Sequence, residues 1–428
     1  MDKKNLKDHR QIGQELDLFS FHEVAPGNVF WHPKGWTIYR TLQNFLRATL
    51  EKEGYQEVST PVMVKNDLFK KSGHWEHYKE NIFNFSLMPF GKTEVIKNEK
   101  GTTIITNPPP SPESYSLKPM NCPEASLIFA SKTRSYHDLP IRLSEFGVLH
   151  RNELSGVLGG LFRARQFVID DAHHFVREDQ IQGEIHKLIL LVVDFYNSLN
   201  FNPEFYFSTK PDKAMGDLKL WKKAEADLET ALKEAKVKYG VKEKDGAFYG
   251  PKIDIHIKDS QDRDWQLATI QLDFQIPKQL QLEYIDKDGK PKRPVIIHRA
   301  ILGSLERFIG ILIEHYQGAF PLWLAPTQVM IIPIADRHNG YASSIVQTIE
   351  LQGIRTSMDN RSERLQAKIR DATLQKVPYL GIIGDKEISN IKNQILNISV
   401  RTREGKDLGQ IKLSEFITRL KEEIDKKI

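Results

Sequence analysis

Phe-Gly-Val-Leu-His-Arg-Asn-Glu at 146–153 is the most informative stretch of this sequence. An apolar run ends there in arginine and glutamate, which predicts a strand followed by a loop that carries Arg151 and Glu153. A fixed guanidinium group can hold carboxylate and phosphate groups by bidentate hydrogen bonds. A surface strand with ordinary charges is the alternative explanation for the same residues.

Three further stretches contain residues that can bind a metal ion. Cys122, the only cysteine among 428 residues, lies in Lys-Pro-Met-Asn-Cys-Pro (118–123). His173 lies in Ile-Asp-Asp-Ala-His-His-Phe (169–175), and His298 lies in Val-Ile-Ile-His-Arg-Ala-Ile-Leu-Gly-Ser-Leu-Glu-Arg-Phe (295–308). A single cysteine is usually a small buried hydrophobe, and a lone histidine is more often a packed or capping residue than a ligand. Spacing alone therefore does not establish a metal site.

In this order, the four stretches resemble threonyl-tRNA synthetase, a family of class II aminoacyl-tRNA synthetases, and the resemblance runs from about Ser20 to the C-terminus. It implies an α+β fold: a class II synthetase core at 1–320, with an antiparallel sheet flanked by helices, and an α/β anticodon-binding domain with a mixed sheet at 321–428. It also implies one zinc ion per subunit, bound by Cys122, His173 and His298 with the fourth position open. Mg²⁺ would enter with ATP.

Composition excludes several classes of protein. Hydrophobic residues make up 40% and charged residues 27% of the chain, which is ordinary for a soluble globular protein. We expect no membrane span, because no apolar run approaches the roughly 18 residues required. The charged N-terminus lacks a following apolar region, and one cysteine suits a reducing compartment, so we expect a cytoplasmic protein. The net charge of +5 suits an RNA partner without requiring one.

Residues 35–54 have the periodicity of an amphipathic helix that ends at Gly54, with a stripe of Ile38, Leu42, Phe45, Leu46 and Leu50. A short strand, 55–60, follows. The pair resembles motif 1 of class II synthetases, which forms the dimer interface, so we expect a homodimer; a plain core helix is the alternative. Residues 76–117, with three prolines at 108–110, are interpreted as a loop or small hairpin without an assigned role. His74, just before them, matches a segment near the substrate pocket, and simple packing explains it equally well.

The resemblance gives 146–153 the role of motif 2. Amino-acid activation is an in-line attack of a carboxylate on the α-phosphorus of ATP, and negative charge builds up on the phosphate. Arg151 would hold both reactants and Glu153 would accept hydrogen bonds from the adenine amino group. Arg163, after the glycine-rich turn 156–160, would reach the terminal phosphates, and Phe167 would stack on adenine.

Motif 3 is predicted as a helix beginning near Ala300, with a buried stripe of Leu302, Leu305, Ile309, Leu312 and Ile313. Gly303, Arg307 and Gly310 would share a neighbouring face. Glycine inside a helix costs about 1 kcal/mol relative to alanine, so something must approach closely there. A nucleotide across Gly303 with its phosphates on Arg307 is favoured by the resemblance; close helix packing is the alternative.

Two more stretches, 246–254 and 265–274, are predicted to be strands. By resemblance, Tyr249 would contact the substrate amino group, and Gln266 and Gln271 would line the pocket. Gln271 would also lie on the nucleotide side. It would be a catalytic residue, as would Arg151 and Arg307. A structural hydrogen-bonding role is the alternative for each glutamine. The resemblance also assigns Met120, Asp171 and Ala300 to the substrate.

Zinc explains how threonine would be selected. An apolar pocket separates threonine from the isosteric valine only about 100-fold. The threonine amino and hydroxyl groups can both coordinate zinc, and Asp171 would accept a hydrogen bond from the hydroxyl. Serine lacks only a methyl group, so we expect errors with serine. The sequence begins almost at the core, without the N-terminal editing domain of many relatives, so we expect no editing in cis. A separate protein or a tighter pocket would then supply fidelity.

The stretch Phe320-Pro-Leu-Trp-Leu-Ala-Pro (320–326) is interpreted as a linker to a second unit. Alternating strands and helices follow, as in an α/β domain, and resemble the anticodon-binding domain of class IIa synthetases. Strands are predicted at 329–334, 355–358, 379–383 and 398–403, and helices at 340–351, 363–374 and 413–427. Arg370, Glu387 and Arg401 match positions that read anticodon bases, by pairing with guanine or accepting from cytosine. As isolated charges, each is more often a solvated surface residue.

Three residues depart from the family pattern: Ile169 stands in place of a substrate-contacting glutamine, Ser362 in place of an anticodon-reading asparagine, and Glu124 in place of a glycine.

The resemblance as a whole implies a threonine–tRNA ligase that uses ATP, L-threonine and tRNA(Thr). Two rivals remain. One is a synthetase-like paralogue that binds RNA or amino acid without catalysis. The presence of both Arg151 and Arg307 argues against it. The other is a class IIa enzyme that charges another amino acid. The presence of Cys122, His173 and His298 argues against it.

Overall fold

The computed structural model of the protein describes residues 6–86, 94–97, 103–106, 113–259, 261–389 and 396–427. Its helices are α1 (His9–Glu15), α2 (Pro33–Lys52), α3 (Asn66–Lys71), α4 (His74–Tyr78), α5 (Cys122–Ala130), α6 (Ile181–Asn197), α7 (Leu218–Glu234), α8 (Gln275–Gln279), α9 (Leu305–His315), α10 (Asn339–Glu350), α11 (Leu365–Leu374), α12 (Asp385–Ser389) and α13 (Leu413–Lys426).

The strands are β1 (Phe19–Ser20), β2 (Phe30–Trp31), β3 (Gln56–Glu57), β4 (Met63–Lys65), β5 (Asn84–Ser86), β6 (Glu94–Lys97), β7 (Thr103–Thr106), β8 (Ser114–Leu117), β9 (Ile141–His150), β10 (Gln166–Val176), β11 (Glu204–Ser208), β12 (Tyr239–Lys242), β13 (Lys252–Lys258), β14 (Asp264–Asp273), β15 (Tyr284–Ile285), β16 (Pro291–Lys292), β17 (Val295–Ala300), β18 (Val329–Pro333), β19 (Thr356–Met358), β20 (Tyr379–Ile383), β21 (Asn397–Thr402) and β22 (Asp407–Lys412).

An eight-stranded sheet organises the larger part of the chain. Its strand order is β12-β11-β13-β14-β17-β10-β9-β3. The pairs between β11 and β9 are antiparallel, whereas the outermost strands, β12 and β3, run parallel to their neighbours. Residues 146–150 end β9, as the sequence predicted, and 151–153 begin the loop that follows. The α+β core with an antiparallel sheet flanked by helices is confirmed.

One face of this sheet is covered by long helices. The buried residues of α2 recur every fourth position, at Ile38, Leu42, Leu46 and Leu50, so that one stripe faces the sheet. The helix predicted at 35–54 thus begins two residues earlier, with Pro33 in the first turn, and ends at Lys52. Gly54 then adopts a φ of +75°, a left-handed conformation that suits glycine after a helix. The strand predicted at 55–60 is shorter than expected, because only β3 (Gln56–Glu57) forms there.

A buried ion pair lies on the same helix-covered side. Asp170 of β10 accepts a hydrogen bond from Arg299 Nη1 of β17, and both side chains are fully buried. Asp170 also accepts from the backbone N–H groups of Ile301 at 2.8 Å and Leu302 at 3.0 Å. Because these bonds fix the chain where β17 ends, they set the path from the sheet into α9.

The second unit contains a five-stranded sheet of order β19-β18-β20-β21-β22. The first three strands are parallel and the last two are antiparallel, so the mixed sheet is confirmed. The strands and helices predicted here lie within two residues of their observed bounds. The sequence analysis missed β22, whose Asp-Leu-Gly-Gln-Ile-Lys has little strand propensity, and the short helix α12.

The stretch 320–326, interpreted as a linker, is a buried connection. Its apolar side chains are buried: Phe320, Trp323 and Leu324 belong to the core under the large sheet, and Leu322 belongs to the core of the second unit. Its backbone is bound from the second unit, since the Phe320 carbonyl accepts from Arg403 Nη1 at 2.6 Å. The two units therefore share an apolar boundary rather than an exposed connection.

Residues 76–117 contain a small hairpin, because β6 and β7 pair antiparallel, as interpreted. The same stretch also contains β5 and β8, which form an antiparallel three-stranded sheet with β4. Pro108, Pro109 and Pro110 lie outside the described residues. In the part of the chain that the structure describes, no helix combines the length and apolarity required to cross a membrane.

Candidate functional site

The predicted site residues meet along one strand, β10. Successive side chains of a strand point to opposite faces, so Phe167, Ile169, Asp171 and His173 share one face, which we call the site face of β10. Val168, Asp170, Ala172 and His174 share the other, which we call the helix-covered face. The site face runs from a cavity lined by arginines, at Phe167 and Ile169, to a cluster of metal-binding residues at His173.

Cys122, His173 and His298 form that cluster. His298 of β17 lies directly across from His173 in the sheet register, and their rings are perpendicular with centroids 4.9 Å apart. Cys122 is the first residue of α5, which packs against this end of β10. One ligand atom from each of the three residues lies within 4.8 Å of the other two. The three residues, which are spread over more than 170 positions of the sequence, thus converge on one point.

The donor atoms fit a metal ion. His298 Nε2 donates to Asp273 Oδ2 at 2.9 Å, which leaves His298 Nδ1 with no hydrogen-bond partner among the described residues. His173 Nε2 is likewise buried and unpartnered. Burial, reinforced by His298, holds the pKa of His173 well below its usual range, so the ring is neutral as metal binding requires. Buried nitrogens without partners are rare, and one sulfur with two such nitrogens suits zinc.

Asp273 was missed by the sequence analysis. It lies on β14 two residues after Gln271, and Gln271 pairs with His298, so both side chains share the face of His298. A carboxylate on the second nitrogen of a metal-binding histidine fixes the tautomer and orientation of the ring. The alternation of Ile-Gln-Leu-Asp (270–273) was the signal that could have identified it.

Asp171 lies beside the cluster, with its Oδ2 3.9 Å from His173 Nε2. It accepts a hydrogen bond from Asn121 Nδ2 at 3.0 Å. Burial, opposed by this hydrogen bond, raises the pKa of Asp171 to about 6. Asn121 reaches Asp171 across Gly147 of β9, where a Cβ atom would lie 2.3 Å from the Asn121 oxygen. Glycine at 147 is therefore required for this contact.

Of the predicted pocket residues, Tyr249 and Gln271 lie against the cluster. The Tyr249 hydroxyl donates to Gln271 Oε1, and the Tyr249 ring lies 5.5 Å from the ring of His298. Gln266 is exposed and its Nε2 donates to Asp254 Oδ1 at 2.6 Å, so this hydrogen bond lies outside the cluster. Met120 immediately precedes Asn121, and Ala300 is buried at the end of β17.

The strand predicted at 246–254 is correct only from Lys252 onward. Residues before it form a turn in which Gly250 packs on the backbone of β14: a Cβ atom there would lie 1.8 Å from the Leu272 carbonyl oxygen. This turn places Tyr249 over the cluster. His74, the weaker candidate, is buried and its Nδ1 lies 2.9 Å from Ser72 Oγ.

The cavity at the other end of the site face has a volume of about 140 Å³ and is lined by Arg151, Glu153, Phe162, Arg163, Ala164, Phe167, Ile169, Gly303, Ser304 and Arg307. Three guanidinium groups converge on it. Burial, followed by the charges of Arg151 and Arg163, lowers the pKa of Arg307. Since arginine stays protonated at physiological pH, the cavity concentrates positive charge and suits a polyanion.

Each of these side chains has a defined contact. The Arg151 guanidinium lies 5.1 Å from the centre of the Phe167 ring. Arg163 Nη2 lies 2.8 Å from Glu153 Oε2, so the carboxylate predicted to meet adenine is paired with Arg163 in this structure. Arg307 Nε donates to the Phe162 carbonyl at 2.9 Å. The motif 2 loop and α9 thus hold their arginines around one space.

The prediction that the motif 3 helix begins near Ala300 and includes Gly303 is wrong. The helix begins at Leu305, capped by Ser304, so Gly303 lies before it and does not share a helical face with Arg307. Its φ of +68° is left-handed, and a Cβ atom would lie 3.0 Å from the Leu267 carbonyl oxygen. Gly310 is inside the helix, where a Cβ atom would lie 2.9 Å from the Phe162 ring. Close packing explains Gly310; the predicted apolar stripe of α9 is buried as expected.

The predicted anticodon residues are not gathered in one place by direct contacts. Arg370 is exposed and donates to Asp371 Oδ1 at 3.1 Å. Glu387 is buried and accepts from the Gly384 N–H at 2.8 Å and from Ser399 Oγ at 2.7 Å. Arg401 lies half-buried on β21. A cavity of about 520 Å³, which the sequence analysis did not identify, lies beside α11 and is lined in part by Asp359, Arg361 and Asp371.

Two of the residues that depart from the family pattern are Ile169 and Ser362. Ile169 lines the arginine cavity, and Ser362 is exposed. Glu124 is buried in α5, and burial raises the pKa of its carboxyl group to about 7. A carboxyl group with this pKa is neutral in a substantial fraction of molecules at neutral pH, which lowers the cost of its burial.

Two family models match this chain. Residues 107–316 match the class II core domain of tRNA synthetases for glycine, histidine, proline, serine and threonine, and residues 328–423 match an anticodon binding domain. Among curated proteins, a threonine–tRNA ligase of Caldanaerobacter subterraneus subsp. tengcongensis is 46% identical over 424 residues, and one of Clostridium kluyveri is 47% identical over 428 residues. These alignments cover 99% and 100% of this chain but 62% and 63% of the two relatives.

Among solved structures, one described as the RNA binding domain of threonyl-tRNA synthetase from Cryptosporidium parvum Iowa II is similar with a TM-score of 0.86 and 38% sequence identity. The match covers 97% of this chain and 98% of that one. A putative threonyl-tRNA synthetase from Aeropyrum pernix matches with a TM-score of 0.78 and 26% identity, over 98% of this chain and 97% of that one.

Proposed function

Because this chain belongs to the threonyl-tRNA synthetase family, we propose that it is a threonine–tRNA ligase, which activates L-threonine with ATP and transfers the threonyl group to tRNA(Thr). The threonine carboxylate attacks the α-phosphorus of ATP, pyrophosphate leaves, and threonyl-adenylate forms. The 2′-hydroxyl of the terminal adenosine of the tRNA then displaces AMP. Mg²⁺ enters with ATP as part of the substrate.

The observation that carries this proposal is the site face of β10. Phe167 and Ile169 line a cavity with three guanidinium groups, and His173, four residues beyond Ile169, belongs to the metal-binding cluster. A strand rises about 3.3 Å per residue, so Ile169 and His173 are roughly 13 Å apart along it. An amino acid bound at one end and a nucleotide at the other would meet near Asp171, as the joining of threonine to AMP requires.

Cys122, His173 and His298 would hold zinc, which when bound would offer an open coordination position to the amino and hydroxyl groups of threonine. Asp171 would accept a hydrogen bond from that hydroxyl; in support, its Oδ2 lies 3.9 Å from His173 Nε2. Tyr249, against His298, would contact the substrate amino group. Valine, which has no hydroxyl, would leave the buried Asp171 with Asn121 as a donor but without a hydrogen bond from the substrate; serine would be excluded far less well.

Arg151 and Arg307 would stabilise the negative charge that develops on the α-phosphate, and Arg163 would contact the terminal phosphates. Phe167, Gly303 and Gln271 would complete the nucleotide site. For Glu153 to accept from adenine, its bond to Arg163 must be replaced, so ATP binding would release Arg163 toward the phosphates. Arg163 and Glu153 would therefore change partners together.

The second unit would bind the anticodon of tRNA(Thr), with Arg370, Glu387 and Arg401 as the candidate residues. Glu387 already uses both carboxylate oxygens within the protein, so its contribution would depend on the loop at Gly384 that it holds. A homodimer formed through α2 remains a prediction from the resemblance, and a cytoplasmic location remains a prediction from the N-terminus and the single cysteine.

The test is amino-acid-dependent exchange of pyrophosphate into ATP, with threonine, serine and valine, on protein whose zinc content has been measured. We expect strong exchange with threonine, weaker exchange with serine, none with valine, and loss of exchange after chelation. His137→Ala is a matched control, because His137 is an exposed histidine away from the cluster. Folded, zinc-loaded protein without threonine-dependent exchange would overturn the proposal and favour a non-catalytic paralogue.

A further inference from the structure

We propose that His9 is a positioning residue for the nucleotide cavity. Its imidazole holds the end of the motif 2 loop, and that loop in turn orients Arg307. The inference rests on the proposed function, because it assigns His9 a part in the binding of ATP. His9 lies in α1, 142 residues before Arg151, and is outside every motif that the sequence analysis singled out.

Both nitrogens of the His9 ring have hydrogen-bond partners. His9 Nδ1 lies 2.8 Å from Glu314 Oε1, and the backbone N–H of His9 donates to the same oxygen at 3.0 Å. The backbone N–H of Leu161 donates to His9 Nε2 at 3.1 Å. Because a carboxylate only accepts and an N–H only donates, the proton must be on Nδ1 and the lone pair on Nε2. The ring is thus neutral, in one tautomer, and 2% exposed.

The loop is shaped to receive this ring. Gly160, immediately before Leu161, has a φ of +60°, and a Cβ atom there would lie 2.4 Å from His9 Nε2. Any other residue would be strained at this φ and would also displace the imidazole. The close approach of His9 therefore depends on a feature of the loop itself, in addition to the hydrogen bond.

Phe162 connects His9 to the cavity. Its ring lies between the rings of His9, 4.1 Å away, and Trp265, 4.5 Å away. Its carbonyl oxygen accepts from Arg307 Nε, and its side chain lines the cavity. Leu161 and Phe162 are adjacent, so a shift of the Leu161 amide moves the carbonyl that fixes the Arg307 guanidinium. An arginine can act as a bidentate phosphate ligand only when its orientation is fixed.

The other side of His9 is anchored. Glu314, its partner, also accepts from Arg263 Nη2 and from Gln261 Nε2 at 3.2 Å, and it lies in α9, two turns after Arg307. The helix that carries His9 packs on the end of α9, where a Cβ atom on Gly318 would lie 2.6 Å from Leu16. The imidazole thus bridges a fixed carboxylate of α9 and the loop that must meet ATP.

The threonine end of the site is separate from this bridge. None of the contacts of His9 given above involves Cys122, His173, His298 or Asp171. Loss of the Leu161 bond should therefore weaken ATP binding and leave threonine binding unchanged. A purely structural role for His9 would instead lower stability and affect both substrates alike.

Two substitutions separate the two halves of the bridge. In His9→Gln, the amide oxygen can replace Nε2 as the acceptor for the Leu161 N–H, and the bond to Glu314 is lost. In His9→Asn, the amide NH₂ can replace Nδ1 as the donor to Glu314, and the loop is released. In pyrophosphate exchange we expect His9→Asn to raise KM for ATP about tenfold, with KM for threonine within about twofold, and His9→Gln to stay within about threefold of wild type.

Hydrogen exchange of the backbone at 158–164 and the affinity for ATP in the absence of threonine give readouts that do not require catalysis. We expect faster exchange there in His9→Asn than in His9→Gln or wild type, with ATP affinity falling in the same order. His137→Asn and His137→Gln are the matched controls. If His9→Asn does not fold, Gly160→Ala replaces it, since it displaces the same contact from the loop side.

Equal effects of the two His9 substitutions, or parallel changes in both KM values, would overturn the inference. Absence of exchange activity in wild type would instead refute the proposed function. In that case hydrogen exchange and ATP affinity would still decide whether His9 positions the loop.

Discussion

The two faces of β10 differ in what surrounds their polar side chains, although each face carries one aspartate and one histidine. In Asp170-Asp171 and His173-His174, the members of each pair are neighbours in sequence and point to opposite sides of the sheet. On the helix-covered face, Asp170 binds Arg299, and His174 lies 2.9 Å from the Tyr55 hydroxyl and 3.2 Å from the Glu184 carboxylate. On the site face, His173 Nε2 has no hydrogen-bond partner among the described residues, and Asp171 has an amide partner but no ion pair with a described lysine or arginine.

This difference shows that burial alone does not separate a structural from a functional polar residue. His173 and His174 are 2% and 1% exposed, so the exposed fraction does not distinguish them. What differs is the group beside the ring nitrogen that has no hydrogen bond: a Glu184 carboxylate oxygen lies 3.2 Å from His174 Nδ1, whereas His173 Nε2 faces the metal-binding cluster, with an Asp171 oxygen 3.9 Å away. A polar group that the protein pairs contributes to the fold, whereas one left unpaired next to an open cluster is available for a ligand.

The largest effect is expected from exchanging the histidines for alanine one at a time. His173→Ala should lower threonine activation about a thousandfold and release bound zinc, because only two ligands remain. His174→Ala should keep the zinc and most of the activity but lower the free energy of unfolding by about 2 kcal/mol, since Tyr55 and Glu184 lose a buried partner. Zinc content, pyrophosphate exchange and urea unfolding of both variants test this; equal loss of zinc in both would contradict it.

The aspartates provide the same comparison in stability. Asp170→Ala leaves Arg299 buried without its counter-charge and should cost about 3–5 kcal/mol in the free energy of unfolding. Asp171→Asn should change that free energy by less than about 1 kcal/mol, because Asp171 has no ion-pair partner to lose, while discrimination against valine falls. Urea unfolding monitored by tryptophan fluorescence measures the first effect. Similar destabilisation by both changes would show that the two faces are not functionally distinct.

Glu306 extends the comparison to pH. Its carboxylate accepts from the Val168 N–H at 2.9 Å, at the start of the helix-covered face, and burial raises its pKa to about 8. Between the ordinary pKa of 4.5 and 8, the folded protein binds one proton more than the unfolded chain, so the contribution of Glu306 to stability falls as pH rises. From pH 5 to pH 7 this loss should be about 2 kcal/mol. Glu306→Gln should remove it, as unfolding at both pH values would reveal.

The smallest effect is expected for Asp273. Asp273→Asn keeps an oxygen for the backbone N–H groups of Gln275 and Ile276 but weakens the bond that orients His298. We expect zinc affinity to fall about tenfold to a hundredfold with little change in stability. Competition with a chelator measures this affinity. An unchanged affinity would mean that the sheet register alone orients His298.

Much of this arrangement could be predicted from the sequence, for identifiable reasons. The buried stripe of α2 and the strands of the second unit follow from hydrophobic periodicity, a local property. The choice of Asp171 and His173 over Asp170 and His174 came from the family resemblance, because the sequence does not show which face of a strand the helices cover. His9 could not be recognised because its partners are distant in sequence, whereas the alternation at 270–273 could have identified Asp273. Gly303 was misplaced because Ser304, the capping residue, was not recognised as the start of the helix.

The burial of 320–325 bears on how this protein could be recombined with others. Chimaeras are usually joined at exposed connectors, where neither parent loses internal contacts. A joint placed at the predicted boundary of 320 and 321 would divide a stretch whose aromatic and aliphatic side chains fill two cores at once. Ile424 in the last helix packs against both cores as well. A grafted anticodon-binding unit would therefore need to bring its own preceding segment and a matching partner surface.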